Sequence, residues 1–239
     1  MRNITIAIII LISTGYKGMA LYNPPIDTTR LWRELLKLEA VFRDTTHLGF
    51  NATIYLTDVD TETIHDTIQM TYKLSKQKYR IEMDSTTIVQ NDFYHLTIYD
   101  EQDMAVLSRP VGFGLNLFQL NLTDTLFNRL HIERLHATDS AGYRKLSLQF
   151  KTESPYTQYE ILYDTSNYHV SRIEYDLKKD PFTPGSTDHY HIKIVCSGYQ
   201  TGAFTDSVFS TNGYFIRKEG LYSLLGDYTS YQLINSLNQ

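Results

Sequence analysis

The sequence predicts a mainly β protein of the α+β class, with one long antiparallel sheet and two or three helices. Residues 66–84 and 145–177 alternate apolar and polar side chains almost without exception, as strands with one wet face do. Short polar turns separate successive segments, which favours hairpins and meanders over parallel crossovers. Each segment therefore presents an apolar surface that another part of the protein must cover.

The N-terminus has the pattern of a cleavable secretion signal. Arg2 precedes an apolar run from Ile4 to Ile12, and Gly18-Met19-Ala20 offers small residues at the two positions that a signal peptidase reads. A membrane span needs roughly 20 apolar residues, about twice this run. We therefore predict a signal peptide over residues 1–20, cleaved near Ala20, and a soluble periplasmic or secreted product without stable membrane insertion. An uncleaved, buried N-terminal strand is the alternative.

Length and charge narrow the classes of partner. The 239 residues fit one β-rich domain, and we find no linker that would divide it. Arg2 and Lys17 lie in the signal, so the 22 basic residues become 20 against 27 acidic ones, a net charge of −7. With no cluster of Lys or Arg, this charge disfavours nucleic acid as a partner. Cys196 is the sole cysteine, so no intrachain disulfide can form, and we expect a buried, inert thiol.

The first element after the signal is an amphipathic helix over residues 29–44. Leu31, Leu35, Leu38 and Phe42 recur at helical spacing, and Asp27, Thr28 and Thr29 are candidate N-caps. We expect this helix to lie across the apolar side of the sheet.

The strands follow in two series. The first begins at Phe50 with period-two alternation and stops at Arg109-Pro110. The predicted strands are 50–56, 66–74, 78–84, 86–90, 93–100 and 103–108, then 131–137, 143–151, 157–164, 168–178 and 188–197.

Two segments do not follow the strand pattern. Residues 111–130 are the most leucine-rich part of the chain, with a helix predicted over 124–130 and either helix or loop over 115–122. From residue 198 on, glycines interrupt the chain, and only 214–216 and 228–234 resemble strands. We predict that this tail packs against the sheet edge.

Short motifs resemble the bacterial periplasmic lipoprotein carriers, the LolA/LolB-like family. In the first series the resemblance lies in Lys78-Tyr79-Arg80-Ile81-Glu82, a turn, and then Asp92, Leu96 and Ile98-Tyr99-Asp100. In the second it lies in the run 159–164, a short turn, and the run 170–175. It covers roughly residues 27–197.

This resemblance implies an unclosed antiparallel barrel whose concave, apolar side is capped by helices and holds the acyl chains of a lipoprotein. It divides the chain into the signal peptide, a half-barrel domain over 21–197 and a C-terminal extension over 198–239 packed on the same domain. Phe93 replaces the usual turn glycine and Thr97 stands where the family often has an aromatic. The arginine that bonds to the lid in carriers has no match by motif.

The predicted functional site is a hydrophobic cavity under a helical lid, since apolar ligands bind in concave pockets of apolar and aromatic side chains. The alternative is a filled core with no hole, in which each residue only packs. The candidate lining residues are Phe50, Ile54, Met70, Tyr72, Ile81, Met83, Leu96, Ile98, Leu148, Phe150, Ile161 and Tyr163, with Leu31, Leu35, Leu117 and Leu120 on the lid.

Enzymatic and metal chemistry have little support in the sequence. His189 and His191 share one strand face at a spacing that could hold a metal, but no third ligand lies nearby and that face is predicted to be wet. No nucleophile elbow, zinc-protease helix or phosphate-binding glycine loop occurs. We expect neither catalysis nor a cofactor.

The functional hypothesis is a periplasmic carrier or chaperone that transports a lipid or acylated protein between envelope donor and acceptor proteins. The alternative is a non-enzymatic protein–protein interaction module of the cell envelope with a filled core and no lipid ligand. The tyrosine-rich edges or the tail would then bind the protein partner.

Overall fold

A computed structural model describes residues 33–38, 40–41, 46–58, 63–111, 132–152, 154–179 and 189–237. The predicted signal peptide, Leu31, most of the leucine-rich segment and the loop over 181–186 lie outside these residues. Within the described part, residues 33–38 and 40–41 are helical, inside the helix predicted over 29–44. No helix among the described residues is long and apolar enough to span a membrane.

Twelve of the fourteen described strands form one sheet, and β12 and β13 form a separate hairpin. The strands are β1 Leu48–Asp58, β2 Ile64–Ser75, β3 Lys78–Met83, β4 Thr86–Gln90, β5 His95–Tyr99, β6 Met104–Ser108, β7 Ile132–Ser140, β8 Tyr143–Phe150, β9 Tyr156–Asp164, β10 Val170–Lys178, β11 His189–Gln200, β12 Phe215–Lys218, β13 Leu221–Leu224 and β14 Gln232–Asn235.

The sheet has the strand order β14-β6-β5-β4-β3-β2-β1-β11-β10-β9-β8-β7. Two meanders, β2 to β6 and β7 to β11, are joined through the antiparallel pairing of β1 with β11. Every pairing is antiparallel except that of β14 with β6. The sheet is curved and unclosed, with β14 and β7 at its edges. The mainly β class and the open, curved sheet predicted from the sequence are confirmed.

The main core lies on one face of the sheet, which we call the concave face. Its fully buried side chains include Leu48, Leu74, Leu146 and Tyr159, from four different strands. Leu35 and Leu38 of the helix are 0% exposed and belong to the same cluster. Because successive strand residues point to opposite faces, the alternation in sequence places one residue in two in this core.

A second core lies on the opposite, convex face over β5 and β6. Leu96, Ile98, Ala105 and Leu107 are 0% exposed there and pack with Phe215, Leu224 and several tyrosines of the C-terminal tail. The prediction that Leu96 and Ile98 share the surface of Ile81 is therefore wrong. Registers fix the faces: Ile81 is opposite Ile88, Ile88 is opposite Thr97, and Leu96 and Ile98 flank Thr97 on the other side of the sheet.

Candidate functional site

The concave face carries a group of half-buried apolar side chains on β1 to β4, which we call the concave patch. It consists of Ile54, Leu56, Met70, Ile81 and Ile88, all packed against the main core. Pairing brings them together: Met70 is opposite Ala52, whose strand continues to Ile54, and Ile81 is opposite Ile88. Large apolar side chains that remain partly exposed to solvent can form a binding surface for an apolar ligand.

Beside the concave patch, the same face carries buried aromatic side chains that stack on one another. Phe50 is 2% exposed and stacks on Tyr72, with ring centroids 4.6 Å apart, and on Tyr199 at 5.4 Å. Leu35 and Leu38 are buried in the same cluster. The concave face thus has a buried part and a part that is only partly covered.

One buried polar contact fastens the helix to the sheet. Glu34 is 9% exposed, and the hydroxyl of Tyr163 donates to its Oε2 at 3.1 Å. A guanidinium nitrogen of Arg144 lies 3.4 Å from the same oxygen. Burial, together with the Glu34 carboxylate, raises the pKa of Tyr163, so this hydroxyl stays protonated and donates.

Toward β5 the concave face becomes polar. The Tyr79 hydroxyl lies 2.9 Å from Nδ1 of His95, whose Nε2 lies 3.2 Å from Oγ1 of Thr97. Burial lowers the pKa of His95 and raises that of Tyr79 to about 12. The imidazole is therefore neutral at neutral pH. None of these hydrogen-bond partners is a carboxylate that would stabilise its charged form.

Gln90 completes this polar group and ties it to the chain that leaves β6. Its side chain is 1% exposed. Its Nε2 donates to the carbonyl oxygen of Val111 at 2.9 Å, and its Oε1 accepts from the amide of Val111 at 3.0 Å. The side-chain amide therefore makes the same two hydrogen bonds with Val111 that the backbone of a neighbouring strand would make, and it fixes the position of Val111.

The opposite end of the concave face, at the ends of β1 and β10, carries a charged group. Nζ of Lys179 lies 2.6 Å from Oδ2 of Asp58, and Nε2 of His65 lies 3.4 Å from the same oxygen. Nζ of Lys179 also lies 5.2 Å from the ring centroid of Tyr190. Asp58 pairs with Tyr190 two residues beyond Leu56 on the same face, so this group adjoins the concave patch.

The sixteen predicted site residues fall into four sets. Seven are buried in the main core, four are half-buried on the concave face, two lie on the convex face, and three are outside the described residues. In that order they are Phe50, Tyr72, Leu148, Phe150, Ile161, Tyr163 and Leu35; Ile54, Met70, Ile81 and Met83; Leu96 and Ile98; and Leu31, Leu117 and Leu120.

Sequence reasoning missed Leu56 and Ile88 of the concave patch and all the polar groups around it. Leu56 and Ile88 continue the alternation of Ile54 and of the strand over 86–90, so that signal was present. The pairing of Asp58 with Lys179 was not predictable, since the two residues are 121 positions apart in the sequence and no motif joins them.

The described residues contain no group of three or more His, Cys, Asp or Glu side chains that could hold a metal ion. Nδ1 of His191 instead lies 2.7 Å from Oδ1 of Asp176, and this hydrogen bond raises the pKa of the imidazole. Cys196 is buried, and burial raises the pKa of its thiol to about 12. The expected burial of this thiol is confirmed, and the raised pKa makes it unreactive at neutral pH.

Solved structures with similar folds come from several bacteria. The chain is similar to a conserved protein from Thermus thermophilus, at 12% identity and a TM-score of 0.43, over 85% of this chain and 98% of that one. It is similar to a LolA superfamily protein from Nitrosomonas europaea, at 12% identity and a TM-score of 0.33, over 75% and 97%. It is also similar to the Mycobacterium tuberculosis lipoprotein LppX, at 12% identity and a TM-score of 0.37, over 74% of this chain and 98% of that one.

The family that the sequence resembles is thus represented among the similar structures. No protein-family model matches the chain. No curated protein matches its sequence.

Proposed function

We propose that the protein is an exported, non-enzymatic carrier that holds acyl chains or a similar hydrophobic ligand against the concave patch. The observation that carries this proposal is the partial exposure of Ile54, Leu56, Met70, Ile81 and Ile88 beside a sealed core. A protein that only needed a core would gain stability by covering these side chains too. Their exposure is useful if a ligand covers them.

The energetics suit an acyl chain. Moving one methylene group from water to an apolar surface contributes about 0.8 kcal/mol, so a chain lying along several patch residues gains enough to bind without a cofactor or a charge contact. The net charge of −5 for the whole chain and the lack of a basic cluster argue against anionic nucleic acid as the ligand. In this proposal, the carrier works in the periplasm and passes its ligand to another envelope component.

A fluorescent fatty-acyl probe tests the proposal. We expect the unmodified protein to bind the probe and the double variant Ile81→Asn, Ile88→Asn to bind it at least about tenfold more weakly, since two polar amides would replace the apolar contacts. The matched control is Ile216→Asn, which changes an exposed side chain of β12 far from the patch. Equal probe binding by the double variant and the control would contradict the proposal.

Native mass spectrometry separates the carrier from an interaction module with a filled core. Purified carrier is expected to retain a lipid-sized mass, and the Ile81→Asn, Ile88→Asn variant is expected to lose it. A clean protein mass together with failure to bind the acyl probe would favour the interaction module.

A further inference from the structure

The turn that leads into β12 carries the pair Asn212-Gly213, and no other asparagine in the sequence is followed by glycine. The amide of Tyr214 donates to the carbonyl oxygen of Thr211 at 3.0 Å, so Asn212 and Gly213 occupy the two central positions of a β-turn. Both residues are exposed. Water and solvent base therefore reach the Asn212 side chain and the Gly213 amide.

The side chain of Asn212 differs from those of the other described asparagines. It makes no hydrogen bond to any described residue, and only the backbone amide of Asn212 has a partner, the Ser210 hydroxyl at 3.2 Å. In each of the others, Oδ1 accepts a hydrogen bond that holds the side-chain carbonyl in place. These are Asn51, Asn91, Asn167 and Asn235. The Asn212 carbonyl has no such restraint and is free to turn toward the backbone.

Gly213 supplies an unobstructed nitrogen next to this side chain. Its amide donates to no acceptor in the described part of the chain. Glycine has no Cβ that would hinder the approach of its own nitrogen to the preceding side chain. A Cβ at this position would meet no atom within 4 Å, and φ lies outside the left-handed region. The surrounding protein therefore leaves room for a reaction here, and alanine would fit the same backbone.

We propose that Asn212-Gly213 is a site of spontaneous deamidation that loosens the C-terminal tail. Solvent base takes the amide proton of Gly213, and the nitrogen forms a bond to Cγ of Asn212. The bond from Cγ to Nδ2 breaks, and Nδ2 leaves as ammonia with a proton from solvent. Water then opens the resulting succinimide at either carbonyl carbon, which gives aspartate or isoaspartate at position 212. One water is consumed, one ammonia is released, and the chain gains one negative charge.

The isoaspartate product changes the backbone where the tail is anchored. It directs the main chain through the former side chain and so adds one carbon to the turn. Both ends of the turn are fixed, because Thr211 is 3% exposed with Oγ1 3.3 Å from Nδ2 of Asn91, and the Tyr214 hydroxyl accepts from Arg80 at 3.0 Å. Phe215, the next residue, is buried in the second core. A longer turn displaces at least one of these anchors, so the hairpin of β12 and β13 loses contact with the convex face.

Mass spectrometry after incubation at mildly alkaline pH tests the chemistry. Trypsin releases residues 194–217 as one peptide, between Lys193 and Arg217. We expect this peptide to gain about 1 Da, and peptides that hold Asn51, Asn91 or Asn167 to do so at least about tenfold more slowly. The matched control is Gly213→Ala, which keeps the turn but adds a Cβ, and its peptide should also react at least about tenfold more slowly.

Two further measurements separate the effect of the fold from that of the sequence. Incubation in urea gives the rate for the unfolded chain, and we expect the rate in the folded protein to lie within about fivefold of it, because the turn is exposed. Hydrogen exchange in β12 and β13 should be faster in incubated unmodified protein than in incubated Gly213→Ala. Asn212→Asp adds the charge without lengthening the backbone, and it should exchange as fresh unmodified protein does.

Each result decides one part of the inference. A peptide over 194–217 that gains no mass, or gains it as fast in Gly213→Ala, would overturn the site. A folded rate far below the rate in urea would also overturn it, since the fold would then protect Asn212. Deamidation without faster exchange in β12 and β13 would overturn the loosening of the tail. None of these outcomes depends on ligand binding, so the carrier function is tested separately.

Discussion

The convex face of the sheet differs between its two halves. Over β8 to β11 it carries charged side chains such as Lys145, Glu160 and Lys193 that are partly exposed, whereas over β5 and β6 it is apolar and buried under the C-terminal tail. Both halves come from strands with the same period-two pattern. Alternation makes a strand amphipathic, while the elements that cover the sheet determine which of its faces becomes a core.

The charged half carries ion pairs both between strands and within one strand. Nζ of Lys145 lies 3.0 Å from Glu160 on the neighbouring strand, and Nε of Arg172 lies 3.3 Å from Glu174 on the same strand. The contact with Lys145 and a hydrogen bond from Ser147 lower the pKa of Glu160 against the opposing effect of burial. Such half-exposed pairs contribute little stability each, so this face is solvated rather than prepared for a cover.

The covered half is fastened by many contacts of the tail. The Tyr94 ring meets that of Phe215 edge-on, at a centroid distance of 5.1 Å, and Arg80 donates to the Tyr214 hydroxyl at 3.0 Å. Lys78 lies 3.0 Å from Asp206, and Arg109 donates to the carbonyl oxygen of Leu237 at 3.0 Å. The tail is therefore an integral layer of the fold.

The largest expected effect breaks the covered half. Leu96→Asn would put an amide into a site that is 0% exposed, and we expect it to lower the free energy of unfolding by at least about 3 kcal/mol. Arg172→Asn, on the charged half, should change it by less than about 0.5 kcal/mol. Urea denaturation of both variants measures the difference. Similar losses would mean that the two halves are not built differently.

An intermediate effect compares the two covers, the helix on the concave face and the tail on the convex face. Tyr163→Phe removes the hydroxyl that donates to Glu34 and is expected to lower the free energy of unfolding by about 1 kcal/mol. Hydrogen exchange should accelerate in residues 33–38 and stay unchanged in β12 to β14. Equal acceleration in the tail would show that the two covers loosen together.

The smallest expected effect is on the pH dependence of the free energy of unfolding, to which the two faces contribute with opposite signs. Burial lowers the pKa of His95 on the concave face, so His95 takes up its proton more readily in the unfolded chain and stability falls as the pH drops below the unfolded value of about 6.5. Asp176 raises the pKa of His191 on the convex face. His191 therefore stabilises the folded state fully at a pH below its unfolded pKa of about 6.5. This stabilisation is lost as the pH rises through the higher pKa of the folded state.

Unfolding of His95→Asn and His191→Asn at pH 5 and pH 8 checks these signs. The loss on acidification should be smaller in His95→Asn than in the unmodified protein. For His191→Asn, the deficit relative to the unmodified protein should be larger at pH 5 than at pH 8. The reverse order for either variant would contradict the assigned cause of its pKa shift.

Much of the fold was predictable because strands are local in sequence. The boundaries predicted for β2 to β4 and β8 to β10 agree with the structure within about two residues. The hairpin of β12 and β13 was largely missed, since four-residue strands between glycines give little periodic signal.

The candidate site was less predictable, because it depends on pairing between distant strands. Leu96 and Ile98 were assigned to the wrong face, although the aromatic tail over 214–233 was a signal that a second apolar surface needed a cover. The polar contacts of Glu34 with Tyr163 and of Asp58 with Lys179 join residues far apart in sequence. No pattern in a single sequence records such contacts.

The parallel pairing of β14 with β6 has a consequence for how the protein matures. β14 follows β6 far later in the chain, so Leu96, Ile98 and Leu107 wait uncovered during synthesis until the tail has been made. Because contacts between distant parts of a chain form late, the fold cannot be completed before the tail has been made. Until then the apolar surface of β5 and β6 stays exposed, and such a surface makes a folding intermediate prone to aggregation.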